Sequence, residues 1–167
     1  RRGEKPLYQE FLGRLGLTLK ELPYPFEGEA DFIPVGDPSG NPSKVVYLFT
    51  CGRIERIRWV PRLGIPPYRR ITGFRSDRSV LSALKEIVHP RQVLPLELID
   101  EAHYHGDTVL GPFGPHHEYL LVYLEALSAE SQSALKARFG DRVVALGNAD
   151  ARRFAANSFQ IRTTYYG

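Results

Sequence analysis

Phe26-Glu27-Gly28-Glu29-Ala30-Asp31-Phe32-Ile33 and Tyr104-His105-Gly106-Asp107-Thr108-Val109-Leu110 decide how this chain is read. Each is a short polar passage that turns through a glycine, presents an acid directly after it, and runs into an apolar strand. A third passage, Ala156-Asn157-Ser158-Phe159-Gln160-Ile161, occupies a similar place. Working outward, each passage is preceded by a helix and then a strand. Helical spacing runs through Leu7, Tyr8, Phe11, Leu12 and Leu15, through Val80, Leu81, Leu84, Ile87 and Val88, and through Leu127, Ser131, Leu135 and Phe139. The strands that follow are predicted at 17–22, 92–98 and 142–146, with closing strands at 44–49 and 118–123.

A fixed period changes the architecture to be expected. Ala83-Leu84-Lys85 returns as Ala134-Leu135-Lys136 after 51 residues, and His105 is followed by Asn157 after 52. The step from Glu27 to His105 is longer, 78 residues, and a Gly-, Pro- and Arg-rich insertion at 51–74 accounts for the excess. The spacing therefore predicts about three copies of one α/β unit, with the insertion as a long basic loop. Alternating helices and strands are common to many α/β proteins; a chemically loaded passage in each copy is not.

Residues at corresponding places in repeats arranged about a pseudo-symmetry axis converge. Here they are Glu27, His105 with Asp107, and Asn157. Carboxylates match the guanidinium fork through charge-assisted, bidentate hydrogen bonds, and an imidazole moves protons near neutral pH. Taken singly, Glu27 reads as a solvated turn residue and Asp107 as a cap; the functional reading rests on the set. His103, His116 and His117 have no cysteine or carboxylate at a recognised ligand spacing, so no metal is expected.

The 167 residues fit one domain, with a net charge of +3 and no single-sign block. One cysteine, Cys51, excludes an internal disulfide, and Arg1-Arg2-Gly3-Glu4 lacks a signal-peptide core, so a cytoplasmic protein is the expectation. No apolar run reaches the roughly 18 residues of a membrane span. Methionine is absent and the chain opens within a helical pattern, from which a piece of a longer domain is expected.

FEGEADF at 26–32, RSD at 75–77 and HGDT at 105–108, in that order, resemble the penteins: arginine deiminases, dimethylarginine hydrolases, arginine dihydrolases and amidinotransferases. The resemblance spans Phe26 to Gln160, and HGDT is its most specific part; Glu29-Ala30 and the Ser of RSD depart from the usual pattern. It implies an α/β propeller of ββαβ units around a pseudo-fivefold axis, with residues 1–167 an incomplete single domain. His105 would be the general acid and base, and Glu27 and Asp107 would bind the guanidinium of L-arginine or a related compound. Asp31, grouped with these substrate-binding acids, would serve by supporting the turn. Asp107 favours the deiminase, dihydrolase and amidinotransferase branches. The nucleophile would be a cysteine outside this chain, Cys51 lying too early, and no cofactor would be needed. A homo-oligomer is left open. The competing reading is a non-catalytic binding module on the same scaffold, associated with RNA or ribosomes through the basic segment 53–70; retention of Glu27, His105 and Asp107 argues against it, and nucleic acid is not the expected partner.

Overall fold

The computed structural model describes residues 5–17, 21–73 and 76–158. In chain order it contains helix α1 (Lys5–Arg14), strands β1 (Phe32–Val35) and β2 (Val46–Cys51), strands β3 (Arg53–Val60) and β4 (Ile65–Gly73), and helix α2 (Leu81–Val88). Strands β5 (Gln92–Glu97), β6 (Leu110–Phe113) and β7 (Tyr119–Val122) follow, then helix α3 (Ala129–Phe139), strand β8 (Val143–Ala145) and the short helix α4 (Asn148–Ala151).

Two sheets share one plan. β1 runs antiparallel to β2, with Phe32 opposite Phe49, and β2 runs parallel to β5, with Val46 opposite Gln92. In the second sheet β6 and β7 are antiparallel, with Leu110 opposite Val122, and β7 and β8 are parallel. A parallel pair needs a crossover, and α2 and α3 supply one each. The result is two ββαβ units among the described residues, fewer than the three copies expected. The predicted strand at 17–22 is not formed by Leu17, Glu21 or Leu22, and Thr18, Leu19 and Lys20 lie outside the described residues. The third passage forms a turn through Asn157, and its continuation from Phe159 also lies outside them.

Alternation along β2 sets the packing, because successive side chains of a strand leave opposite faces. Val46 and Leu48 join a core shared with Leu96, Leu120, Val122, Leu135 and Phe139, which ties the first sheet to the second unit. Phe49 and Cys51 face the other way, into a cluster with Val80, Leu84 and Val88 beneath α2. Side chains cap the approach to α2 and the start of α3: Asp77 accepts from the Ser79 amide in the 3-10 turn Arg78–Val80 that leads into α2, and Ser128 accepts from the Ser131 amide at the start of α3. No helix among the described residues is long and apolar enough to cross a membrane.

The insertion at 51–74 is not a loop. β3 and β4 form a two-stranded antiparallel sheet of their own, with Arg53 opposite Gly73 and Arg56 opposite Arg70. Pro66 and Pro67 sit in β4, where an edge position tolerates the missing N–H. The β-branched and aromatic residues Ile54, Ile57, Trp59 and Val60 were the strand signal, and the flanking Gly and Pro residues obscured it.

Because this hairpin pairs only with itself among the described residues, replacing residues 53–73 by a short Gly/Ser linker is expected to leave both ββαβ units folded. Loop-closure entropy changes by only about 0.6 kcal/mol per doubling of loop length. Chemical denaturation should show a stability change under about 2 kcal/mol, and collapse of the cooperative transition would show that the hairpin belongs to the core.

Candidate active site

β1 and β6 are each entered through a 3-10 turn, Gly28–Ala30 and Gly106–Thr108, and the residue before each turn is Glu27 or His105. The 78-residue correspondence read from the sequence is thus one of place before a 3-10 turn, although the backbone differs, with ψ 16° at Glu27 and 148° at His105. The two turns pack against each other, and a single buried carboxylate joins them.

That carboxylate is Asp31, 1% exposed. Its Oδ1 accepts from Thr50 Oγ1 at 2.8 Å and from the Gly106 amide at 2.9 Å, and its Oδ2 accepts from Ser76 Oγ at 2.5 Å. The Ser76 hydroxyl in turn accepts from the Glu27 amide at 3.1 Å. His105 Nδ1 stands 3.8 Å from Asp31 Oδ1. One buried acid therefore reaches β2, the segment before α2, and the turns that follow Glu27 and His105.

Close approach makes this geometry depend on Gly106. A Cβ there would overlap Thr50 Oγ1 and stand 2.9 Å from the Ala30 carbonyl oxygen, so the turn can lie against β2 only without a side chain. Thr108 closes the turn from the other side, its hydroxyl donating to the His105 carbonyl at 2.6 Å.

Asp107 projects beyond this hub. Its Oδ2 accepts from Asn157 Nδ2 at 3.3 Å, which brings the third passage to the second. Asp107 Oδ1 and His105 Nδ1 are buried atoms without a hydrogen-bond partner among the described residues. Burial holds the Asp107 carboxyl above its ordinary range; His105 opposes that shift and Asp31 adds to it. Asp107 and Asn157 also border an open cavity of about 790 Å³ with Glu29, Phe32, Tyr47 and Leu110. Neither Glu27 nor His105 borders that cavity, so hydrogen bonding rather than cavity size defines the site.

The other candidates fall elsewhere. His103 is buried between the rings of Tyr123 and Phe154, with Nδ1 3.0 Å from Asp100 Oδ2 and Nε2 3.1 Å from the Ala151 carbonyl. Both its nitrogens are engaged within the protein. Among the described residues no group of three His, Cys, Asp or Glu side chains is arranged to hold a metal. Cys51 is 2% exposed and leaves β2 on the face opposite Thr50. Burial pushes its thiol up to about 11.

Sequence reasoning passed over Thr50 and the hydroxyl of Ser76. Ser76 lay within the RSD motif, but its partners are 45 and 49 residues away, a separation that no local pattern reports.

No family model matches the chain. It is 30% identical over 98% of its length to the bifunctional arginine dihydrolase/ornithine cyclodeaminase AgrE of Nostoc sp., of which it covers 19%. Over 52% of its length it is 35% identical to an N(G),N(G)-dimethylarginine dimethylaminohydrolase of Mycobacterium tuberculosis, covering 27% of that protein. The crystal structure of AgrE with ornithine and NAD+ superimposes with a TM-score of 0.69 at 28% identity, over 96% of this chain and 20% of that one. The chain is a homologue of the pentein arginine dihydrolases and deiminases. The substrate-bound N-terminal domain of ArgZ, an arginine dihydrolase from cyanobacteria, matches this pentein homologue with a TM-score of 0.64 at 26% identity, over 94% of the chain and 48% of the domain. The α/β fold with mixed sheets is accordingly that of a partial pentein-like domain, and the chain spans about a fifth of the bifunctional relatives it matches.

Two measurements follow from the buried groups. Cys51 is expected to resist iodoacetamide in the folded protein at pH 8 and to react on unfolding, because thiolate forms in the fold only towards pH 11; fast labelling of the folded protein would contradict the packing. Asp31→Asn sets amide N–H donors against the donors of Thr50, Ser76 and Gly106, and should cost about 2–3 kcal/mol in denaturant unfolding.

Proposed function

We propose that this chain forms part of a guanidine-modifying enzyme acting on L-arginine or a related guanidino compound, within a complete propeller of five ββαβ units. The observation that carries the reading is the Asp31 hub, which reaches the Glu27 amide through Ser76 and approaches His105 Nδ1 to 3.8 Å. Similarity to arginine dihydrolases supports it.

Glu27 and Asp107 are assigned to the guanidinium, whose N–H groups match carboxylate oxygens in charge and plane. The buried Oδ1 of Asp107, without a hydrogen-bond partner among the described residues, suits such a partner. Asp31 is assigned no substrate contact, since both its oxygens are occupied by protein donors; it positions the other two turns. His105 carries the proton. With Nδ1 turned towards Asp31, Nε2 is the nitrogen left for transfer.

The nucleophile is assigned to a cysteine outside residues 1–167, because Cys51 is buried on the wrong face of β2. Its thiolate adds to the guanidinium carbon; the C–N bond then breaks, and His105 delivers a proton to the departing nitrogen. In the second half His105 takes a proton from water or an acceptor amine, which attacks the same carbon and releases the thiolate. The carboxylates stabilise positive charge throughout.

Assay of the full-length protein with L-arginine, following ammonia, citrulline and ornithine, tests this. His105→Ala should lower kcat by about 10²–10⁴-fold, and Glu27→Gln should lower kcat/KM by at least about 10²-fold; undiminished turnover in His105→Ala would refute the assignment. Asp107 binds the cation only when ionised, and burial raises its pKa. Affinity should therefore fall as pH drops, beginning above the ordinary carboxylate range, and Asp107→Asn should remove that acid limb while raising KM.

A further inference from the structure

Asp31 uses its two oxygens for different neighbours. Oδ1 takes Thr50, the Gly106 amide and the approach of His105 Nδ1, whereas Oδ2 takes the Ser76 hydroxyl. Ser76 is 2% exposed and its hydroxyl works in both directions, donating to Asp31 Oδ2 at 2.5 Å and accepting the Glu27 amide at 3.1 Å. A hydroxyl is suited to this place because it donates and accepts through one oxygen. Beside it the Asp77 amide donates to the Pro25 carbonyl at 2.9 Å, so the two segments are joined at adjacent points.

We infer that Ser76 is a positioning residue that sets guanidinium affinity by fixing the backbone of Glu27, on an arm of Asp31 separate from the one serving His105. The inference rests on the reading of Glu27 as a guanidinium-binding acid. It assigns substrate binding to the Oδ2 side of the buried carboxylate and proton transfer to the Oδ1 side. Loss of the Ser76 hydroxyl releases the first side and leaves the second with Thr50 and Gly106.

In the full-length protein, Ser76→Ala should raise KM for L-arginine about tenfold, the scale of one lost hydrogen bond. The kcat and its pH profile should stay within about twofold, because the groups around His105 are untouched. Ser76→Thr, which keeps the hydroxyl, should restore KM. Amide hydrogen exchange at Glu27 should quicken in Ser76→Ala and return to wild type in Ser76→Thr. If Ser76→Ala does not fold, Ser76→Cys supplies the same comparison with a weak donor of similar volume. A fall in kcat at unchanged KM, a displaced pH profile, or failure of the threonine variant to restore KM overturns the inference while wild-type turnover leaves the proposed function standing. Absence of arginine turnover in the wild-type protein overturns both.

Discussion

A carboxylate closed off from water is tolerated only where donors satisfy it, and Asp31 is closed off by the very elements it organises. Thr50 comes from β2, Ser76 from the approach to α2, and Gly106 from the turn into the second unit. None of these could move away without leaving a buried anion short of a partner, which is among the costlier defects a fold can carry. The consequence is mutual constraint: the sheet, the helix entry and the neighbouring unit are held to one relative placement at the point where Glu27 and His105 leave the backbone. Hydrophobic packing supplies cohesion through β2, buried on both faces. Packing alone is less selective about placement than a set of hydrogen bonds with fixed lengths and directions.

Much of the fold was legible because it rests on local periodicity. The apolar spacing of α2 and α3 is seen again in the burial of Leu84, Val88, Leu135 and Phe139, and β5 and β8 fall within a residue or two of the predicted ranges. The repeat was legible as well, since most of the difference between the steps of 51 and 78 residues is supplied by the hairpin Arg53–Gly73. Misreading that hairpin as a loop came from weighting Gly64, Pro66 and Pro67 above the β-branched and aromatic residues around them. Prolines break a central strand, but among the described residues β4 has a strand on one side only.

Candidates for the site could be read from the sequence, and the hydrogen bonds around them could not. His105, Glu27 and Asp107 announce themselves by chemistry and by motif. The bonds that arrange them span 19, 45, 49 and 75 residues, and a serine or threonine at such a distance looks like any other polar residue until the chain is folded. Asp31 illustrates the difficulty. Its type fits a ligand for a cation, and only its burial and its three donors separate it from acids that face a substrate.

Gly106 has a consequence for how the motif around it can be inherited. The spacing of His105, Gly106 and Asp107 reads as a local signature, yet the glycine is required by Thr50 and Ala30 of the preceding unit. A turn of this kind cannot be transplanted alone into another scaffold. Without the surface that forbids a side chain at 106 the glycine becomes merely permissive, and the His105 ring loses the Asp31 carboxylate that stands 3.8 Å from its Nδ1. The heritable element is the seam between two units, and substitutions at positions 31, 50 and 106 should travel together.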